Sequence, residues 1–421
     1  MNRIQESHAR KFFAALLASC LVCAPSCVGT LQREPDRSAP SQPATPSRIA
    51  GMHEVLVMLA AAERRSSIEL EGGRGGTLTF RRLGDMVLAS DGRVGDELDL
   101  WPRAGSLGLA FEGRTYPGHL VVSAHPRDGL RLLNVVDLEQ YVEAVVAAEL
   151  PLWSAQAAEL EAQAVAVRTY TLYTLAVRRA EQGESAVIFL WDSVEDQAYH
   201  GRAEPGASAG ARSAHARLSQ AVIGTRGVVL LRDGRLEDAR YHASCGGRTA
   251  NLVDVFPVPG PGATSVSCEP CLRRAAQEQA SGELDDRRPL GWKRTFTADE
   301  LSRAASALDV GDHILGLAAG RTDAAGRWIE AQVIGDRRRR TVQMDELRRA
   351  LGHAQFKSAR VASTWPGALN AIQDGLYVHG LGRGHGVGLC QEGARDYALQ
   401  GWSMQQILAH YYPGTILERL P

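Results

Sequence analysis

Residues 147–170 read AAELPLWSAQAAELEAQAVAVRTY, and the fold turns on how this stretch divides. Pro151 cannot continue a helix, and Ser154 can cap a new one. The spacing therefore predicts one helix closing at Pro151 and a long, alanine-rich second helix running from Ser154 to about Arg179. Glu149 falls at the junction, among Val145, Val146, Ala147, Ala148, Leu150 and Leu152. A carboxyl group in such apolar company loses solvent, which raises its pKa and keeps a proton available near neutral pH. A glutamate placed there is held stiffly while still able to face a groove, as a general acid must. The competing reading is a glutamate merely exposed in the last turn before a proline.

Upstream of this stretch the pattern changes at Asp137, which can cap a helix with Gln140 at its third position, as in a capping box. Leu138, Tyr141, Val142, Val145 and Val146 then form one apolar stripe. Before it, alternating runs at 67–70, 77–80, 86–90, 107–111, 119–123 and 130–136 are separated by Gly and Asp turns and predict a β-rich region. Downstream, 207–223 reads as a helix, 228–231 and 238–242 as strands, and 272–290 as a polar surface excursion. A mixed block follows, with a helix near 298–308, strands around 328–334 and 357–362, and a basic run, Arg337 to Arg340, that reads as a solvated hairpin tip. Helices at 388–400 and 403–410 close the chain. The expected class is α+β: a β-rich N-terminal region over 51–130, then a mixed helix and strand domain over 131–421 with a long central helix and an inserted block at about 272–362.

The 421 residues allow two or three domains. A formal net charge of −1 argues against a nucleic-acid footprint and fits an uncharged or weakly charged substrate such as a glycan. Aromatic residues make up only 6%, which argues against a long sugar-stacking platform. Residues 1–27 read as an export signal: Arg3, Arg10 and Lys11 flank an apolar run at 12–24 that is too short to span a bilayer. Leu17-Ala18-Ser19-Cys20 has the form of a lipobox, which would place a lipid on Cys20; the alternative is an ordinary secretory peptide cut near Ser26 or Cys27. Residues 28–50, rich in Pro and Ser, read as a disordered tether. The expected location is the periplasm or cell envelope, with the lipid anchor as the only membrane contact.

Three further features carry chemistry. Residues 380–394, GLGRGHGVGLCQEGA, hold five glycines at alternate positions, and their backbone amides suit a sugar-binding wall near His385 and Gln391. Residues 241–249, YHASCGGRT, place Ser244, Gly246, Gly247 and Thr249 in a polar turn suited to hydroxyl groups. His242, Cys245, Cys268 and Cys271 have the ligand types and paired spacing of a structural zinc site. A disulfide joining Cys245 to Cys268 or Cys271 is the alternative in an exported chain. Cys390 could suggest a cysteine nucleophile with His379 or His385, but nearness in sequence is not triad geometry, and Cys390 reads as a small core residue.

Six segments in order resemble the stage II sporulation protein D and amidase-enhancer family: 136–142 (VDLEQYV), 148–151 (AELP), 163–170 (QAVAVRTY), 241–249, 384–388 (GHGVG) and 410–415 (HYYPGT). The resemblance spans roughly 107–421. It implies a lytic transglycosylase of peptidoglycan that prefers glycan stripped of its stem peptides, with the family's essential glutamate falling on Glu149. Such an enzyme needs no cofactor for catalysis. It also implies a link to an N-acetylmuramoyl-L-alanine amidase, and the family includes a non-catalytic, amidase-enhancing role. Arg168 and Tyr170 are candidates to orient Glu149 or a sugar, or else to support the helix. The Gly-rich loop departs from the family pattern, with Arg383 where tryptophan is common and Cys390-Gln391-Glu392 in place of Ser-Gln-Tyr, so that Arg383 and Glu392 could pair.

Overall fold

Asp137 starts the helix that the sequence places there: its carboxylate accepts the backbone N–H groups of Glu139 and Gln140 at 2.9 and 3.2 Å. These bonds satisfy two donors that a helix start otherwise leaves unpaired. In the computed structural model, which describes residues 53–421 except 72–75, 184–185, 194, 203–205, 207, 257–260, 282–288, 363–367 and 371–374, this helix is α1, Leu138–Glu149. The export signal, Cys20 and the tether lie outside the described residues, as does the position of any lipid anchor. Among the described residues no helix is long and apolar enough to cross a membrane.

The remaining helices are α2 (Ala157–Gln182), α3 (Ala209–Gly224), α4 (Leu252–Val255), α5 (Glu269–Ser281), α6 (Ala298–Ala307), α7 (Met344–Leu351), α8 (Gln391–Leu399) and α9 (Met404–Tyr411). The class is α+β, with a strand-rich N-terminal part and α2 at its centre. Ser154 does not cap α2. Its hydroxyl turns back to the Pro151 carbonyl, and the capping box is built two residues later by Gln156 and Glu159. The helix runs on to Gly183, whose φ of 93° stops it.

Strand Leu130–Asp137 lies between Glu54–Met58 and His119–Ala124, antiparallel to both. Leu190–Trp191 and Glu97–Leu100 complete this five-stranded sheet. The expected boundary at 130/131 thus runs through a strand whose partners precede it. Ser67–Glu71, Thr77–Leu83, Met86–Ala89 and Val94–Gly95 form a separate four-stranded meander. One face of the five-stranded sheet packs against the predicted stripe of α1 and, through Leu160 and Val167, against α2. Another face of α2, Ala162, Val165 and Ala166, packs on Leu389, Ile407, Leu408 and Tyr411. The alanines let these elements approach closely enough to bury the helix on two sides, which propensity alone would not require.

The mixed block has its own core of Trp292, Phe296, Leu317, Val333 and Phe356. It extends past 362, because Gly291–Phe296 pairs with Leu376–Leu381. Residues 357–362 make only isolated bridges, Ser358 to Gly384 and Val361 to Gly380, rather than a strand. The stretch from 272, expected to be a surface excursion, begins inside α5, whose Arg274 pairs with Glu392 and Asp396 of α8. Arg337 and Arg338 of the basic run form the exposed tip of the hairpin, as the sequence predicts, while Arg339 and Arg340 already belong to its second strand, Arg339–Gln343.

Candidate functional site

Glu149 ends α1 half-buried, and Pro151 turns the chain away immediately after it. Its carboxylate accepts a hydrogen bond from the side-chain amide of Gln391, the first residue of α8, at 3.2 Å. The backbone N–H of Ala198 acts on it in the same sense, favouring the charged form. Burial raises the pKa of Glu149 above the usual carboxylate range, and both donors oppose that rise by favouring the charged form. The outcome is a carboxyl group that has lost water without gaining a cation among the described residues.

The Ala198 donor has a built foundation. Gln197 donates to Tyr141 Oη at 3.2 Å and Thr171 Oγ1 at 2.8 Å, and accepts from Tyr241 Oη at 2.9 Å. Tyr199 Oη donates to Asn134 Oδ1 at 2.6 Å. Residues on both sides of Ala198 are therefore pinned in the core. Sequence reasoning did not reach this segment, because nothing in its composition sets it apart from a loop.

Arg168 does not orient Glu149. It is fully buried and grips the carboxylate of Glu139 with two bonds, Nε to Oε1 at 2.8 Å and Nη2 to Oε2 at 2.5 Å, while Nη1 reaches the Val228 carbonyl at 3.1 Å. Tyr170 is also buried, beneath the guanidinium of Arg240 at 5.6 Å. Both side chains hold α2 in place.

The Gly-rich loop spends its amides inside the protein. Gly382 N–H donates to Leu290 O, Arg383 N–H to Ser244 O, and Gly384 N–H to Lys357 O. A Cβ on Gly388 would come within 2.0 Å of Arg240 O, and one on Gly386 within 2.6 Å of the Arg327 guanidinium. These glycines let the chain approach itself, where the sequence suggested a ligand. The 241–249 turn is likewise internal. Thr249 is fully buried and accepts from Val266 N–H at 2.8 Å, Ser244 is 4% exposed, and Gly246 and Gly247 pack against Arg360 and Leu272. His385 sits edge-on to His242 and Phe256, with ring centroids at 5.6 and 5.3 Å, and burial drives its pKa well down, so it stays neutral. Of the expected groove residues, Gln391 is the one hydrogen-bonded to Glu149. Arg383 and Glu392 are not paired with each other: Arg383 donates to the Pro289 carbonyl, and Glu392 pairs with Arg274.

One aromatic was overlooked. Trp153 is 79% exposed, four residues after Glu149, and its ring lies 5.9 Å from the guanidinium of Arg395 on α8, the helix that carries Gln391. A tryptophan only four residues after the candidate glutamate, in a short turn between two helices, is the signal that could have identified it.

The expected ligand set also needs correction. The Sγ atoms of Cys245, Cys268, Cys271 and Cys390 all lie within 4.8 Å of one another, buried. His242 is not among them. Its Nδ1–H donates to the Val387 carbonyl at 3.0 Å, turning the ring toward His385. Cys390, read from sequence as core filling, takes its place.

Residues 126–231 match the sequence profile of the family described as "Stage II sporulation protein". That span contains Glu149 and α2 and ends before the Gly-rich loop. The chain is 26% identical over 284 residues to the stage II sporulation protein D of Bacillus subtilis, covering 66% of this chain and 74% of that one. An uncharacterized protein of Brachyspira hyodysenteriae is 25% identical over 310 residues, 73% of each chain. A B. subtilis protein named "Amidase enhancer" is 26% identical over 310 residues, a match covering 40% of its length. The resemblance drawn from the six motifs holds in these matches.

Proposed function

We propose that this protein acts on the bacterial cell wall as a lytic transglycosylase, cleaving peptide-stripped peptidoglycan strands with Glu149 as the single acid and base. The observation that carries this reading is the environment of Glu149: desolvated, and hydrogen-bonded by the neutral side-chain amide of Gln391. The raised pKa favours a protonated carboxyl group before reaction. Glu149 gives that proton to the bridging oxygen as the bond from muramic C1 breaks. The resulting carboxylate then takes the proton of the muramic C6 hydroxyl, whose oxygen closes onto C1 to form a 1,6-anhydro ring. No water is consumed, and the proton count returns to its starting point. Ordinary glycosidases need a second carboxylate to activate water or form an ester; an internal hydroxyl removes that need. In this reading Gln391 and Ala198 steady the charged intermediate state of Glu149, and Trp153 stacks on a sugar face. The matches to cell-wall and sporulation relatives support an envelope location.

A second reading, a non-catalytic peptidoglycan-binding partner that enhances an N-acetylmuramoyl-L-alanine amidase, is favoured by the likeness to the protein named "Amidase enhancer". The two separate on amidase-treated glycan strands analysed by mass spectrometry. New 1,6-anhydromuramic ends support cleavage. Intact strands, together with faster stem-peptide release when an amidase is added to whole peptidoglycan, support the second reading and overturn the first.

A further inference from the structure

We propose that Cys245, Cys268, Cys271 and Cys390 together bind one zinc ion, which ties three separate chain segments beneath the start of α8. Cys245 comes from the turn after Tyr241–His242, Cys268 and Cys271 from the entry to α5, and Cys390 from the residue that caps α8. Four sulfurs within 4.8 Å of one another form a closed cluster. Zn–S bonds near 2.3 Å in a tetrahedron separate the sulfurs by about 3.8 Å. Cys271 Sγ and Cys390 Sγ stand 3.7 Å apart, which fits that spacing.

The surroundings suit thiolates. Cys390 Sγ accepts the backbone N–H groups of Cys245 at 3.3 Å and Gly393 at 3.4 Å, and Cys245 Sγ accepts Gly247 N–H at 3.3 Å. The hydroxyl of Tyr411 lies 3.2 Å from Cys268 Sγ. Donors aimed at the sulfurs stabilise negative charge and fix ligand direction, as outer-shell partners of metal sites do. Gly393 leaves room for the cluster, since a Cβ there would come within 2.5 Å of Cys268 Sγ. Four protein ligands leave no open position, so the ion holds structure and activates no water.

Cys390 directly precedes Gln391, the donor to Glu149. The metal therefore anchors the first turn of α8 and the side chain it presents to the carboxyl group. The metal assignment stands on its own; only the value of that positioning rests on the proposed role of Glu149.

The test uses the full chain purified without chelator. Elemental analysis should find one zinc per molecule. Replacement by cobalt should produce the intense sulfur-to-cobalt charge-transfer absorption of four thiolates. Cys390→His should retain a metal with the weaker spectrum of three thiolates, whereas His242→Ala should leave metal content and spectrum unchanged. Chelation should remove amide-exchange protection at residues 390–394 while leaving α6 as protected as before. Metal-free protein with reduced cysteines overturns the proposal. So do disulfides among these four residues in peptide mapping, bound iron instead of zinc, or a metal that His242→Ala loses and Cys390→His leaves unaltered. These readouts are independent of strand cleavage, so failure of the proposed reaction would not affect them.

Discussion

The two ends of α1 each carry a glutamate, and the protein treats them in opposite ways. Glu139, in the first turn, has both carboxylate oxygens held by one edge, Nε and Nη2, of a fully buried guanidinium. Glu149, in the last turn, is hydrogen-bonded by the Gln391 side-chain amide, with no cation among its partners in the described residues. A carboxylate gripped by a buried arginine is tied into the structure. A desolvated carboxyl group with neutral donors can release and recover a proton. Placing both on one twelve-residue helix means the structural pair orients the helix on which the proposed acid and base stands.

The sharpest way to break this contrast is to remove Arg168. Arg168→Ala empties a fully buried site and leaves the half-buried Glu139 with only the Gly227 N–H, and should cost about 3–5 kcal/mol of stability, read as a lower urea midpoint. A loss below about 1 kcal/mol would show that the pair is not structural. Gln391→Ala attacks the other end. It should lower strand cleavage about tenfold, roughly 1.4 kcal/mol of transition-state stabilisation, with the cobalt spectrum of the cysteine cluster intact.

The pH dependence follows from the direction of the Glu149 shift. A carboxyl group whose folded pKa is raised binds its proton more readily in the folded state. Its contribution therefore favours folding below the unfolded pKa, and that advantage is lost as pH rises through the folded value. Glu149→Gln should thus be more stable than the parent at neutral pH, and the difference should vanish on acidification below the ordinary carboxylate range. Equal stability at both pH values contradicts a desolvated Glu149. The smallest effect belongs to Trp153. Being exposed, it can be replaced by alanine with stability changed by no more than about 0.5 kcal/mol. Loss of a stacking contact should raise KM for glycan about threefold to tenfold, corresponding to ~0.5–1.5 kcal/mol. An unchanged KM would remove Trp153 from the groove.

Much of this was legible in the sequence because it is local. Asp137 announces the start of α1 by its own hydrogen-bonding chemistry, Pro151 announces its end, and the apolar stripe between them gives the buried face. The start of α2 was misread for an equally local reason: Ser154 and Gln156 can both cap, and the reciprocal bond to Glu159 favours the latter. What could not be read are contacts between distant segments. Gln391 meets Glu149 across 242 residues, and Cys390 joins Cys245 across 145. The glycines of 380–388 signalled close approach correctly but not its object. A sequence gives the freedom of the backbone, and only the packed chain shows that Arg240 and Arg327, rather than a sugar, fill the space.

In the proposed reaction Glu149 transfers the proton during strand cleavage. Parent protein and Glu149→Gln, both shown to be folded, should be incubated with amidase-treated glycan strands, and the 1,6-anhydromuramic ends counted by mass spectrometry over time. The account predicts ends accumulating with the parent and a fall of about 10²- to 10⁴-fold in the variant, the range that general acid and base catalysis supplies. Ends formed at the same rate by the variant would contradict it.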